Sequence, residues 1–415
     1  MGLRSALKNF YVNNIKINQV RKCQQDYLVS LRNKHRIKVA FLGYSEGGGS
    51  DIFSELHALF SKDPRFEAIS VIVPYTYGQK SEMIELINNS SFFLERKKID
   101  FISGYDKESD SFVDIKKIIN PDIVFMCYPY EWYPKEFKIE SFMDKPVYST
   151  FYGMGLLETA VEQINMPLNI YAYRVFLPSP MHIKFLKKQA NHPSDNICND
   201  FLGSLKLELF DLCDSSSSIW KNPEKKKVIW SPHHLYANFS NFNEMHNLML
   251  ELANKYKDDI DICFRPHPTL KDSLHTVAGW NRKTIDEYYN LWKSIDNCCY
   301  SVGDYHSTLL ESDGMILDSL AFLAEYLYIN KPALFVNNEK SKSIDFSPYG
   351  KAIKNITYNA YSNEGITEFI EDVIINGKDN LTDMRREFIS KNMTPLYGGK
   401  PSDNIYNQVI NDIFH

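Results

Sequence analysis

The sequence predicts an α/β protein made of two consecutive doubly wound, Rossmann-like domains facing a central cleft. Three observations predict it. The chain has 415 residues, more than one core organises and about right for two α/β domains. Short apolar runs alternate with helical patterns in two separate series, and a serine- and lysine-rich stretch divides them. Hydrophobic residues at 44% and charged residues at 24% are ordinary for a globular chain, so both cores can be filled.

Residues 1–36 read as a basic helical segment. Arg4, Lys8, Lys16, Arg21, Lys22, Arg32, Lys34 and Arg36 stand against the single acid Asp26, with Leu3, Phe10, Tyr11, Ile15, Ile17 and Val20 between them. Such a segment suits either a solvated surface helix or a peripheral contact with anionic headgroups at the inner face of a membrane. The first domain is expected over 37–212. Its opening strand, Ile37 to Leu42, runs into Glu46-Gly47-Gly48-Gly49-Ser50 and then a helix from Ile52 to Phe60. That loop matches neither G-x-G-x-x-G nor the P-loop with its lysine, so it reads as a glycine loop for acceptor binding or close interdomain approach. His57 on the following helix could face the cleft, a core position being the commoner alternative. Further strands are expected at 68–73, 123–127, 147–151 and 171–177, with a helix at 81–87. The aromatic run Tyr128-Pro129-Tyr130-Glu131-Trp132-Tyr133-Pro134 is either plain packing or a rim for a polyol or sugar.

Residues 213–226, with Ser215 to Ser218 and Pro223, read as the linker. A second domain is expected over 227–386, with strands at 228–231, 260–264, 300–302, 315–317 and 333–336 and helices at 241–255 and 320–329. Residues 387–415 are expected to return and pack on the first domain. Ligands of open α/β sheets bind beyond the carboxyl ends of strands, so the chemistry should lie just after each strand.

Several function classes are set aside by composition. A net charge of −5 gives no general attraction to nucleic acid. The seven cysteines are odd in number and lack any C-x-x-C pair, so neither a disulfide framework nor a zinc site is indicated, and no metal ligand set is assigned. The amino end has no signal-peptide core, and the most apolar stretch, 314–329, is broken by Asp318 and Glu325. A cytoplasmic protein is expected.

Three motifs of the second half fall at strand ends: Trp230-Ser231-Pro232-His233-His234, Phe264-Arg265-Pro266-His267-Pro268, and the stretch from Ser312-Asp313 through Asp318-Ser319 to Glu325-Tyr326. Their prolines hold Arg265 and His267 in an extended segment, because a residue before proline is pushed out of helix. A planar guanidinium suits a diphosphate, with a structural salt bridge as the alternative. Asp318 and Ser319 read as caps of a helix whose first N–H groups would seat an anion. Glu325, two turns on and about 10 Å along such a helix, is a carboxylate among apolar residues. It is suited to two ribose hydroxyls, or else paired with a nearby cation.

On these residues, and on Lys331-Pro332 after them, the second half resembles the CDP-glycerol:glycerophosphotransferase family, the teichoic-acid primase and polymerase type that also supplies capsule-synthesis transferases. The first half is similar mainly in layout. The resemblance implies a GT-B-like fold and an enzyme that moves glycerol phosphate or a related polyol phosphate from a CDP-linked donor to a hydroxyl of a glycan, lipid-linked or polymer acceptor. It places His233 and His267 as catalytic residues around the donor diphosphate. His234, Arg265 and Ser319 would bind the diphosphate, Glu325 the ribose, and Asp313 and Asp318 would support them. Glu46, Gly47, Gly48, Gly49 and His57 mark the acceptor side. No cofactor beyond the donor is called for, and a divalent metal is left open. Because the first sheet starts at Ile37, without the further amino-terminal region of the family's polymerases, single transfer is as compatible as polymerisation. A GT-B glycosyltransferase using a nucleotide sugar, a sugar-nucleotide epimerase of the same fold and a non-enzymatic scaffold remain as alternatives.

Overall fold

The computed structural model describes residues 3–44, 52–76, 78–130, 132–151, 153–213, 218–236, 239–303, 305–320 and 322–415, with only the backbone described for 3–13 and Tyr44. The chain divides into two units, one of Met1–Gly155, Thr159–Glu208 and Thr394–His415, the other of Leu156–Glu158 and Leu209–Met393.

In the first unit β1 (Ile37–Tyr44), β2 (Phe66–Val73) and β3 (Phe101–Ser103) are followed by a small antiparallel pair, β4 (Tyr105–Asp106) and β5 (Ser111–Phe112), and by β6 (Ile123–Met126), β7 (Val147–Thr150) and β8 (Arg174–Phe176). The six-stranded sheet is parallel with order β3-β2-β1-β6-β7-β8. All residues of β6 and β7 are buried, as strands covered by helices on both faces must be. Phe41 stacks on Phe125 at 5.0 Å and Phe125 on Tyr148 at 5.3 Å, so three neighbouring strands share one aromatic seam. The strand expected over 171–177 is shorter because Pro167 opens a helix, Pro167–Tyr171, that takes up its beginning.

The helix Pro401–Phe414 completes this unit. Ile405, Val409 and Ile413 recur at a spacing of four and are fully buried in its core, and Tyr406 meets the edge of Phe60 at 4.9 Å. Arg174 on β8 grips the Asp412 carboxylate with two nitrogens, Nε donating to Oδ2 at 2.8 Å. Buried Glu208 accepts from Ser402 N–H at 2.9 Å and Ser402 Oγ at 2.5 Å. The amino-terminal helix Leu3–Leu31 also spends basic residues on this unit. Arg21 donates to Pro193 O at 2.7 Å, and Arg32 Nε, just past the helix, donates to Ile413 O at 2.9 Å. Those cations are packing residues. Among the described residues no helix is long and apolar enough to cross a membrane.

The second unit repeats the plan with β9 (Lys226–Ser231), β10 (Ile260–Phe264), β11 (Cys298–Tyr300), β12 (Gly314–Leu317), β13 (Ala333–Val336) and β14 (Tyr358–Ala360), all parallel in the order β11-β10-β9-β12-β13-β14. Counted within each sheet, both orders are 3-2-1-4-5-6, which reverses between the first and fourth strands. In the second unit that switch point lies between β9 and β12. Trp230 is packed against Phe264 at 5.0 Å, Trp292 at 5.4 Å and Phe242 at 5.8 Å, so an aromatic core clamps β9 and β10 just before their site-bearing turns.

Ile405→Ala should lower the unfolding free energy by about 2–5 kcal/mol, the range for truncating a buried aliphatic side chain, read as a fall in the urea midpoint. An unchanged midpoint would contradict the packing of the last helix into the first core.

Candidate functional site

The sheet ladder of the second unit continues past its strands. Arg265 N–H donates to Trp230 O at 2.9 Å and His267 N–H to Pro232 O at 3.0 Å. Pro266 and Pro268 lack an N–H and fall at the alternate positions, where no donor toward β9 is needed. The two proline-bearing motifs are therefore one extension of the β9/β10 pair, and it carries three imidazoles together. Ring centroids of His233 and His234 are 4.1 Å apart, those of His233 and His267 4.9 Å, and those of His234 and His267 4.6 Å.

Asp318 fixes this cluster at the switch point. Its carboxylate, buried just beyond β12, accepts the His233 N–H at 2.6 Å and the Asn241 N–H at 2.5 Å. Asn241 Nδ2 in turn donates to Val336 O at 3.0 Å, and Ser240 Oγ to His233 O at 3.1 Å, so the ends of β9, β12 and β13 are bound into one rim. Burial raises the Asp318 pKa to about 6 against the lowering effect of those N–H donors. Charged above that pH, it holds the turn most tightly near neutrality.

Hydrogen bonds set opposite protonation on two of the rings. His233 Nδ1 faces the His234 carbonyl at 3.4 Å, and a carbonyl only accepts, so Nδ1 carries the proton and Nε2 holds a lone pair. His267 Nδ1 accepts the Thr269 N–H at 3.2 Å, so its proton is on Nε2. Burial, then the neighbouring imidazoles, lower the His233 pKa to about 3, and the same causes bring His267 to about 4. Desolvation also lowers His234, whose buried Nδ1 has no hydrogen-bond partner. The site thus presents neutral imidazoles, one a base and one a donor.

The sequence assigned no metal ligands here, yet the three imidazoles can each offer one nitrogen, all within 4.8 Å of one another. The Thr269 N–H opposes that use. A ligating imidazole donates its second N–H outward, whereas His267 Nδ1 receives a proton donor, leaving Nε2 protonated.

Arg265 departs from its expected place at the diphosphate. Its Nη1 donates to Ser301 Oγ at 2.5 Å and its Nη2 to Gly303 O at 2.6 Å, while the guanidinium lies 5.2 Å from the Tyr305 ring centre and 5.5 Å from that of Phe322. It orders the loop after β11. Tyr305, on that loop, donates from its hydroxyl to Glu325 Oε2 at 2.6 Å. Glu325 is buried as expected, and the Tyr305 hydroxyl is one of its partners.

Other expectations need correction. Asp318 and Ser319 do not cap a helix: the helix is Leu323–Tyr328, preceded by Phe322 without a side-chain cap, so Asp318 and Glu325 do not share a helical face. Ser319 is buried beside Asp318. Asp313 lies at the amino end of β12, where it accepts Lys227 N–H at 2.8 Å and faces Lys226 Nζ at 3.2 Å, far down the strand from the rim. His57 belongs to the first core, 5.6 Å from the Phe41 ring and 3.3 Å from Ser61 Oγ. Glu46, Gly47, Gly48 and Gly49 lie outside the described residues. In the aromatic run, Tyr130 stacks on half-exposed Trp132 at 5.1 Å and accepts a hydrogen bond from Gln163 Nε2. Reading the sequence missed Asn241, Thr269 and Tyr305. Only Thr269 carried a signal, a hydroxyl residue two places after a proline-flanked histidine.

Neither a protein-family model nor a curated protein sequence matches the chain. Among solved structures it is similar to S. aureus MnaA in complex with UDP, at 14% identity and a TM-score of 0.60, over 91% of this chain and 98% of that one. It is similar to the UDP-GlcNAc 2-epimerase of Neisseria meningitidis bound to UDP-GlcNAc, at 15% identity and a TM-score of 0.57, over 91% and 99%. It is also similar to a variant of the wall teichoic acid polymerase TagF with CDPG, at 12% identity and a TM-score of 0.57, over 99% and 97%. At such identities the likeness shows the fold alone, which is GT-B-like with two Rossmann-like α/β units.

Because the folded pKa of His267 lies below its unfolded value, the unfolded chain binds more protons below pH 6.5, and stability falls as pH drops from there toward 4. His267→Gln should therefore lose less stability than wild type between pH 7 and pH 5, by up to about 2 kcal/mol, measured by urea unfolding at both pH values. Equal losses would mean that His267 is not held neutral.

Proposed function

We propose that the protein is a transferase that moves a polyol phosphate, glycerol phosphate first among them, from a CDP-linked donor to a hydroxyl of a glycan or lipid-linked acceptor in cell-envelope polymer synthesis. The observation that carries the reading is the pairing, at the β9/β12 switch point, of a His233 Nε2 lone pair with a His267 Nε2–H. The solved neighbours with UDP, UDP-GlcNAc and CDPG support a nucleotide-diphosphate donor.

In this mechanism the acceptor oxygen forms a bond to the polyol-bearing phosphorus, and the bond from that phosphorus to the bridging oxygen breaks. CMP leaves with the electron pair. His233 Nε2 takes the acceptor proton as general base. His267 Nε2–H, with His234 and Ser319, donates to phosphate oxygens as charge builds on them. Asp318 positions His233. Glu325 accepts ribose hydroxyls in this reading, and the Tyr305 hydroxyl helps to hold its carboxylate in place. Arg265 acts through the loop bearing Tyr305.

Purified protein, CDP-glycerol and a lipid-linked acceptor mimic should give products heavier by one or more glycerol phosphate units in a mass spectrum. His233→Ala and His267→Ala should each lower turnover about 10²- to 10⁴-fold, the usual worth of a positioned acid or base, with melting temperature held as the folding control. A thermal-shift panel separates the rival donors, because a ligand at about a hundred times its Kd stabilises by about 2.7 kcal/mol. Stabilisation by UDP-sugars alone, or an isomerised donor formed without acceptor, would overturn the polyol-phosphate reading.

A further inference from the structure

The imidazoles at the β9/β12 switch point are held neutral, chiefly by burial, and the Arg265 guanidinium bonds Ser301 and Gly303. Neither brings a formal charge to a diphosphate there. A diphosphate is a dense anion and is held best by charge-assisted donors. Lys354, which the chemistry above does not use, places an ammonium on the same rim. It lies in the last turn of the helix Pro348–Asn355 and is half-buried. Its Nζ is 3.9 Å from the centre of the Phe335 ring and 5.5 Å from that of Phe346, and it donates to Asn337 Oδ1 at 2.5 Å. The Asn337 amide is fixed in that orientation, because its Nδ2 donates to Phe335 O at 3.0 Å and to Ala360 O at 3.3 Å. Phe335 pairs with Leu317, the residue before Asp318. Val336, the residue before Asn337, accepts from Asn241 Nδ2, and the Asp318 carboxylate that holds His233 holds the Asn241 N–H as well. The ammonium is therefore built onto the end of β13, one strand along from the turn that carries His233.

Among the described residues no carboxylate balances this cation. Burial alone acts on its pKa, which falls to about 8. Lys331 is brought to about 8 in the same way, but there Asp313 and Glu311 oppose burial and the carbonyls of Leu310 and Ser312 accept from the ammonium. A half-buried charge without a counter-ion costs stability, and such groups gather where a ligand completes them. An ammonium has three donors, and Asn337 Oδ1 takes one of them. Its position at the carboxyl end of a parallel strand, next to the switch point, is where open α/β sheets take their ligands.

We propose that Lys354 is a phosphate-binding residue of the second unit, donating to the diphosphate of the nucleotide and supplying the counter-charge that the sequence had assigned to Arg265. Phe335 and Asn337 hold the ammonium in place from below and beside. That the diphosphate belongs to a transfer donor rests on the transferase reading above. The affinity for a diphosphate does not.

The test is calorimetric titration of the full chain with CDP, UDP, cytidine and inorganic pyrophosphate, on wild type, Lys354→Met and Lys354→Arg. Lys354→Met should raise the Kd of pyrophosphate, and of whichever nucleoside diphosphate binds, about tenfold or more, as losing a charge-assisted contact does. Lys354→Arg, which keeps the charge, should fall between wild type and Lys354→Met. The cytidine Kd should stay within about twofold. Methionine keeps an unbranched apolar stem over Phe335 and removes an unbalanced charge, so the melting temperature without ligand should not fall. Pyrophosphate should also slow acetylation of Lys354 in a peptide map of wild type. Unchanged diphosphate affinities in Lys354→Met, an equal loss for cytidine together with a lower melting temperature, or an unchanged acetylation rate would overturn the proposal. Binding of UDP but not CDP, or of pyrophosphate alone, with the dependence on Lys354 intact, would instead strike the CDP-linked donor and leave the phosphate site standing.

Discussion

The Asp318 carboxylate, buried where the strand order of the second sheet reverses, is the constraint on which the site depends. One oxygen holds the N–H of His233 and the other the N–H of Asn241. Without it two backbone donors would be left buried and unmet at about 1–3 kcal/mol each, and the turn carrying His233 and His234 would lose its tie to β12. Burial works against keeping the acid charged, as its pKa near 6 shows. A chain that keeps a costly buried carboxylate at a topological switch point gains a fixed backbone there, and a fixed backbone is what positions an imidazole.

Below that rim the aromatic core sets the height of the two histidine turns. Trp230 and Phe264 lie at or near the ends of neighbouring strands and stack on each other, so Pro232 and His267 emerge in register and close one more rung of the ladder. The imidazoles then meet because their backbones are paired. Arg265, two residues from His267, leaves in another direction and builds a second network through Ser301, Gly303 and Tyr305 to Glu325. The sequence motif is continuous, but its residues serve two linked duties: proton chemistry at the histidines and ordering of the loop beside the buried glutamate.

Much of the fold was legible because parallel strands covered on both faces read as unbroken apolar runs, and Ile260–Phe264 and Ala333–Val336 fall where their composition puts them. The edge strands β3 and β14 were not legible, being three residues long and only partly buried. The histidines and Asp318 could be picked out because prolines and strand ends place them. Asp313 was misplaced because a motif read as one block spans both ends of β12, and side chains at the amino end tie strands together rather than face a ligand. Arg265 donates to residues 36 and 38 places away, and Tyr305 marks no pattern of its own. Such contacts are made by the fold and leave no trace in local spacing.

The account turns on which nitrogen of each ring carries the proton. A long-range ¹H–¹⁵N spectrum of the histidine-labelled protein at pH 7, with resonances assigned through His233→Gln and His267→Gln, reads this directly. The account predicts opposite neutral tautomers, protonated at Nδ1 in His233 and at Nε2 in His267. The same tautomer on both rings, or a doubly protonated His233, would contradict it.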